Sequence, residues 1–272
     1  MLKDITLGQF FPGKSVIHKL DPRVKIILTF FYIAIVFSAD NFFSFGVVAV
    51  LAVSMILLSK ISLVTILKSL KPIIFIMVFT AVMNIFWTTG ETEIFSFWKI
   101  TVYKEGVLFA VMMILRLVLL ITGTFVILTY TTSPVALTDA VERLTYPLSK
   151  IGVPTHEFAM MMSIALRFIP TLIEETDKIM CAQKARGANF ETGSVIKRAK
   201  ALIPILIPLF ISSFRRADEL ANAMECRLYS GGKGRTRLKV LKLSASDFVV
   251  CSVFVLAFAA VITINFFTGN MI

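Results

Sequence analysis

Two stretches, Ala182-Gln183-Lys184-Ala185-Arg186-Gly187 and Ala223-Met224-Glu225-Cys226-Arg227-Leu228, decide how the basic middle of this chain folds. Each closes a long helical pattern on one arginine, and the two arginines stand 41 positions apart. An aspartate lies nine residues before each arginine (Asp177, Asp218), an alanine four before (Ala182, Ala223) and a small residue one before (Ala185, Cys226). A guanidinium at a helix end presents a planar fork of donors that can bridge a carboxylate or several carbonyls, and Ala185, Gly187 and Cys226 leave room for close approach. The repetition reads as two equivalent plugs for two sockets. The alternative is a basic tip resting on anionic lipid, which would not require a duplicated context. Asp177 and Asp218 read as surface charges of the tips.

Upstream of each arginine the pattern is apolar first and polar last. Phe158, Met161, Met162, Ala165, Phe168, Ile169, Leu172 and Ile173 precede Glu174, Glu175, Asp177, Lys178 and Lys184. The second helix repeats this, with Leu202 to Ile211 ahead of Arg215, Arg216, Asp218 and Glu219. Pro154-Thr155 opens the first of the two long helices, with Gly187 and Asn189 as its stop signals, and Ser194 caps the second. A shorter helix starts at Ser133-Pro134, an N-cap followed by an N1 proline, and runs to about Lys150. Pro170, Pro204 and Pro208 are expected to kink the apolar halves, which suits helices lying on a membrane face with their tips in the cytosol. A pair of extra spanning helices around Ile203 to Ile211 is the competing arrangement.

The rest of the chain is membrane protein. Of its 272 residues 57% are hydrophobic, 25 are phenylalanine, and the mean hydropathy is +0.85, beyond what a soluble domain carries. Apolar runs at Val24 to Ala39, Phe42 to Leu58, Pro72 to Thr89, Val107 to Tyr130 and Phe248 to Phe267 predict five membrane helices. The first two are short, and Arg23, Lys25 and Lys60 are expected to snorkel to the headgroups. The net charge of +11 is unevenly placed, which orients the chain. Lys3, Lys14, Lys19, Arg23 and Lys25 put the N-terminus in the cytoplasm, and Lys60, Lys68 and Lys71 put the second connection there. The Asp40-Asn41 connection and Gly90 to Gly106, where Glu91, Glu93 and Glu105 offset Lys99 and Lys104, face outward. More than half of the 28 Lys and Arg residues lie between Thr131 and Ser244, so that insertion is cytoplasmic and the C-terminus is outside. The expected architecture is an all-α polytopic membrane protein: residues 1–132 with four membrane helices, 133–244 with three cytoplasmic or interfacial coupling helices, and 245–272 with the last membrane helix.

Few other residues carry chemistry. Arg116 stands well inside the fourth membrane run, where a charge is costly and marks a functional candidate or a bond to backbone carbonyls. The spanning runs contain no carboxylate to pair with it, which disfavours a proton- or sodium-coupled secondary transporter. Gly231 to Thr236 lacks the order of a phosphate-binding loop. His18 and His156 are isolated, and Cys181, Cys226 and Cys251 have no metal-type spacing, so no metal site and no catalytic residue is expected.

These residues together resemble the transmembrane T component of energy-coupling factor (ECF) type ABC importers, related to the membrane component of cobalt importers. The resemblance rests on Gly8-Gln9 with Pro12-Gly13, on His18-Lys19-Leu20-Asp21-Pro22-Arg23-Val24-Lys25, and on Ala165-Leu166-Arg167-Phe168-Ile169-Pro170. It continues through the two arginine tips and Arg215-Arg216-Ala217-Asp218-Glu219-Leu220-Ala221, covering nearly the whole chain. It implies that Ala185-Arg186-Gly187 and Cys226-Arg227-Leu228 each dock in one of two ABC ATPase subunits, although Cys226 and Leu228 depart from the family's small-Arg-Gly pattern. It also implies one small membrane substrate-binding subunit, often for a vitamin, against the apolar halves of the coupling helices; Met161, Met162, Ile169, Leu172, Leu206 and Phe210 are the contact candidates. The chain itself would bind no cofactor, ATP and Mg being used by the partner ATPases, and it would have the lipid bilayer but no nucleic acid as a further partner. The implied location is the bacterial cell membrane. A conventional ABC permease or a secondary transporter with its own substrate path is the alternative, and a membrane-bound enzyme is more distant.

Overall fold

The computed structural model describes residues 10–90, 92–97, 100–188, 190, 194–232 and 241–268. Lys3, Gly8, Gln9, Glu91, Lys99, Asn189 and the Lys233 to Thr236 segment lie outside the described residues. In chain order the helices are α1 (Val16–Lys19), α2 (Pro22–Phe37), α3 (Phe42–Ser59), α4 (Leu63–Leu70), α5 (Ile74–Trp87), α6 (Lys104–Thr124), α7 (Pro134–Thr145), α8 (Thr155–Ala185), α9 (Val195–Cys226) and α10 (Ala245–Thr268). A 3-10 turn at Lys71–Ile73 links α4 to α5, and a π turn at Phe125–Thr129 extends α6. The connection expected to be loop between α5 and α6 forms a two-stranded antiparallel hairpin, β1 (Glu93–Phe97) with β2 (Ile100–Tyr103), pairing Phe97 with Ile100 and Glu93 with Tyr103. Lys68 and Lys71, read as part of a connection, stand on α4 and its 3-10 turn.

The chain separates into two compact units, with boundaries at Ala140/Val141, inside α7, and between Lys239 and Val240. The membrane unit contains α1 to α6, the first part of α7, and α10. Buried positions on α3 recur at Ser44, Val48, Leu51, Met55 and Ser59, three or four apart, so one stripe faces the core while Phe42, Phe43, Val50, Val53 and Leu57 face outward. An outer surface of that kind suits a bilayer. The core gathers Leu28, Tyr32, Ile35 and Val36 of α2, Phe45 and Val48 of α3, Met112 and Leu119 of α6, and Phe254 and Val261 of α10. Gly123 allows α2 and α6 to pack closely: a Cβ there would overlap the Tyr32 ring, whose hydroxyl donates to Leu119 O at 2.7 Å.

Five helices among the described residues are long and apolar enough to cross a membrane: Phe42–Ser59, Leu63–Trp87, Lys104–Thr129, Thr155–Ala185 and Ala245–Thr268. This set differs from the expected five in two places. The first apolar run forms α2, whose 16 residues fall short of the roughly 20 a straight span needs. In its place α8 qualifies, because its apolar half precedes the charged tip.

Two polar clusters tie the membrane unit together. At one end, Asp21 caps α2 by accepting from Arg23 N at 2.9 Å and pairs with the Arg23 guanidinium at 2.8 Å, while Asp21 N donates to Asp247 Oδ1 of α10 at 2.9 Å. Burial pushes the Asp21 carboxyl up, but the hydrogen bonds from Arg23 and the charges of Arg23 and Lys25 together hold it below its ordinary 3.8. Lys25 does not snorkel. It is 1% exposed, and its Nζ donates to Thr131 O at 2.8 Å and to His18 O at 3.4 Å, fastening α2 to the end of α6. At the other end, Ala39 and Asn41 of the α2–α3 turn and Ser44 beside it on α3 are fully buried, so their polar groups depend on protein partners. Asn265 of α10 donates to Ser38 O and accepts from Ser44 Oγ at 2.6 Å.

Arg116 completes that turn. Its Nη2 donates to Ala39 O at 2.7 Å and lies 3.5 Å from Asp40 Oδ1, with its guanidinium over the Phe45 ring. The carboxylate missing from the spanning runs comes from the connection between them. A cation at the C-terminal end of α2 also meets the negative end of the helix dipole. Arg116 is therefore a structural cap that lets a short helical hairpin end beside the middle of α6.

Candidate functional site: two matched helix tips

Two helices of the stretch leading to the tips, α7 and α9, begin where their caps dictate, α7 starting in the membrane unit and ending in the second. Ser133 Oγ accepts from Ala136 N at 3.3 Å at the head of α7, and Ser194 Oγ accepts from Lys197 N at 3.5 Å at the head of α9. A 3-10 segment, Tyr146–Ile151, follows α7 and stops at Gly152 in the left-handed region. His156 near the start of α8 is not isolated: its Nδ1 meets Glu142 Oε1 at 2.9 Å, joining α8 to α7. Both long helices run unbroken through their internal prolines.

The two tips close with the same backbone hydrogen bonds. At the end of α8, Gly187 N donates to Lys184 O at 3.0 Å and Ala188 N donates to Gln183 O at 3.0 Å. At the end of α9, Leu228 N donates to Glu225 O at 2.8 Å and Tyr229 N donates to Met224 O at 3.0 Å. Both are Schellman closures, in which a residue in the left-handed region reverses the chain just past the last helical turn. Gly187 takes that position at φ +86 and Leu228 takes it at φ +55. The departure at Leu228, which put the second motif in question, leaves the closure geometry intact. Nothing surrounds Gly187 that a Cβ would meet, so the glycine answers to backbone conformation alone.

The closure fixes what each arginine can do. Arg186 and Arg227 are the C-cap residues, and both are exposed, as are Ala185, Gly187, Cys226 and Leu228. Among the described residues neither guanidinium takes an intramolecular ion pair. A cation at this end is favoured by the helix dipole and held on a rigid backbone, with all its donors available to an acceptor outside the chain.

The two helices are also joined. Arg216 Nη2 on α9 meets Glu175 Oε2 on α8 at 3.2 Å, across a sequence separation of 41. That separation is the offset between the tip arginines, so Glu175 and Arg216 hold equivalent places on the two helices. Each stands eleven residues before its tip, about 16 Å along the helix. The joint was hidden in sequence; the one signal was opposite charge at positions related by the repeat.

The apolar halves are largely uncovered by the unit itself. Met161, Met162, Leu206 and Phe210 are exposed, Phe210 to 66%, whereas Ile169 and Leu172 are half-buried. Within α9 the exposed apolar residues recur as Leu202, Ile203, Leu206, Ile207, Phe210, Ile211 and Phe214, a stripe wider than chance leaves in water.

Comparison with known proteins places this arrangement. Residues 13–238 match the cobalt transport protein family (CbiQ). The chain is 58% identical over 250 residues to the energy-coupling factor transporter transmembrane protein of Clostridium kluyveri, covering 92% of each chain. It is 50% identical over 266 residues to that of Ruminiclostridium cellulolyticum, covering 98% of this chain and 99% of the relative. The Bacillus subtilis counterpart is 45% identical over 258 residues, with 94% and 97% covered. A helical, multi-pass membrane protein with two matched arginine tips and identity of this extent belongs to the cobalt transport protein family and, within it, to the transmembrane T components of energy-coupling factor transporters.

Proposed function

We propose that this chain is the coupling and scaffold subunit of an ATP-driven importer of a micronutrient of the vitamin type, with ATP hydrolysis left to two partner ABC ATPases. The observation that carries the proposal is the pair of tips: the same closure, the same exposed cap arginine, and equivalent places on two helices joined by Glu175–Arg216. One arginine docks in each ATPase. When the ATPases close on ATP, the tips move with them, and the ion pair between the helices makes the two displacements interdependent. The apolar halves, with exposed Met161, Met162, Leu206 and Phe210 and half-buried Ile169 and Leu172, form the platform for one small membrane substrate-binding subunit, which reorients as the helices shift. The coupling is an interaction free energy between distant sites, and it requires no nucleotide site in this chain. The tips face the cytoplasm together with the N-terminus, and the C-terminus lies outside, in accordance with the lysine and arginine bias.

Co-purification from membranes tests this reading. A tagged wild-type chain is expected to retain two ATPases and a small membrane protein, and the Arg186→Glu, Arg227→Glu double variant to lose the ATPases while keeping the membrane partner. A variant that retains both ATPases would sink the docking role. The exposed thiols of Cys181 and Cys226 report orientation: a membrane-impermeant maleimide should label both only when the cytoplasmic face is open, and bound ATPases should protect Cys226.

A further inference from the structure

A cavity of about 380 Å³ opens in the membrane unit between the segment before α1 and the α3–α4 connection. One wall is Phe11 to Ser15 with His18, and the other is Ser59 to Ser62 with Thr65. Its volume lies in the range of small-ligand sites. Two lysines, Lys14 and Lys60, and three hydroxyl residues besides Ser59, namely Ser15, Ser62 and Thr65, line it, and no carboxylate does. Neither lysine takes an intramolecular ion pair among the described residues, so their charge is uncompensated by the fold.

The walls are built to hold their shape. His18 Nε2 donates to Phe11 O at 2.9 Å, and its Nδ1 lies 2.7 Å from Ser15 Oγ, which spends both ring nitrogens on the loop. Gly13 lets the loop press against that ring, since a Cβ there would stand 2.7 Å from His18 Cε1. Across the cavity Lys60 is the C-cap of α3, in the left-handed region at φ 58 with its N–H donating to Leu57 O at 3.3 Å, which fixes the backbone of that wall.

Depth identifies the ligand class. The cavity adjoins Ser59, the last residue of a helix long and apolar enough to cross a membrane, which sets it at the end of that apolar length. Exposed Leu57, Leu58, Leu63, Val64 and Leu67 flank it on the same stretch and offer an acyl-facing surface. We infer that this cavity binds the phosphate of an anionic headgroup, with Lys14 and Lys60 as its charge partners; the Ser62 and Thr65 hydroxyls bond each other at 2.7 Å, which leaves one hydroxyl proton of the pair to donate. Uncompensated lysines at headgroup depth are the recognised chemistry of such sites.

The test uses the full-length chain, delipidated in detergent and titrated with dioleoylphosphatidylglycerol, with bound lipid read by native mass spectrometry. Dioleoylphosphatidylcholine and inorganic phosphate are the parallel probes. Lys60→Asn removes the charge while tolerating the left-handed backbone, and Lys14→Gln removes the other. The combined variant should bind phosphatidylglycerol roughly 25-fold more weakly, about fivefold for each lysine. Lys14→Gln alone, on an exposed loop side chain, should show the fivefold loss even if the double variant is unstable. Lys68→Gln with Lys71→Gln, equal in charge but outside the cavity, should change binding by no more than about twofold. Displacement of the lipid by inorganic phosphate would show that the phosphate group suffices; lack of displacement would show that the lipid is the source. Equal losses in the cavity and control variants, or equal binding of phosphatidylcholine, would overturn the site.

Discussion

The tip of α8 and the tip of α9 close with the same hydrogen bonds around different residues, Gly187 in one and Leu228 in the other. Glycine reaches the left-handed region freely, whereas a leucine there carries a steric cost of roughly 1–2 kcal/mol. That the second tip keeps the geometry despite the cost shows that the closure, and the position of the arginine it sets, is the shared element; the glycine is one way of making it. Leu228 is 89% exposed, so no packing within the chain repays it. The asymmetry places a large apolar side chain beside Arg227 where Arg186 has none, and the two proposed ATPase sockets should differ accordingly.

The largest effect should come from separating the tips one at a time. Arg186→Glu or Arg227→Glu alone should weaken ATPase retention about 30-fold or more, the scale of losing one partner of a buried interfacial charge pair. Quantitative pull-down against the purified ATPases checks it, and unequal losses would rank the two sockets. Next, Gly123→Ala should destabilise the membrane unit by about 1–3 kcal/mol through overlap with Tyr32, read as a lowered thermal unfolding temperature. This separates a glycine required by a close neighbour from Gly187, which has none. Gly187→Ala should cost roughly 1–2 kcal/mol, confined to the tip, and Leu228→Gly should recover a similar amount at the other. Hydrogen exchange at the amides of Ala188 and Tyr229 measures both, and a Leu228→Gly variant with faster exchange at Tyr229 would show that the leucine is not strained. The smallest effect belongs to the joint. A double-mutant cycle on Glu175→Gln and Arg216→Gln should give a coupling of at most about 1 kcal/mol, because both side chains are partly exposed. Its functional trace should be a lower ratio of substrate transported to ATP hydrolysed, with the swap Glu175→Arg, Arg216→Glu restoring the ratio.

Much of this architecture was legible because local chemistry decides it. Ser133-Pro134 and Ser194 start helices where an N-cap oxygen meets the first free amides, and the small-Arg-Gly pattern stops α8 where glycine can reverse the chain. The apolar runs of α3, α6 and α10 are long enough to announce themselves. The hairpin before α6 was missed because its charged residues read as loop, and the first apolar run, Val24 to Ala39, forms a helix of only 16 residues because composition does not reveal where the turn into α3 begins. Leu228 was read as a departure in the second motif because it stands where the resembled family's small-Arg-Gly pattern has glycine.

By itself the sequence determined that the chain is helical, that it lives in a membrane, and that two repeated tips end on arginines; composition, period and capping are properties of neighbouring residues. Only the tertiary structure decided what the charges do. Lys25 is buried against Thr131 when snorkelling was expected, Arg116 caps Ala39 and pairs with Asp40 from a connecting turn, and Glu175 meets Arg216 across a repeat. Each of these bonds joins residues far apart in the chain. A charge in an apolar setting must find a partner, but which partner depends on the packing that brings the helices together.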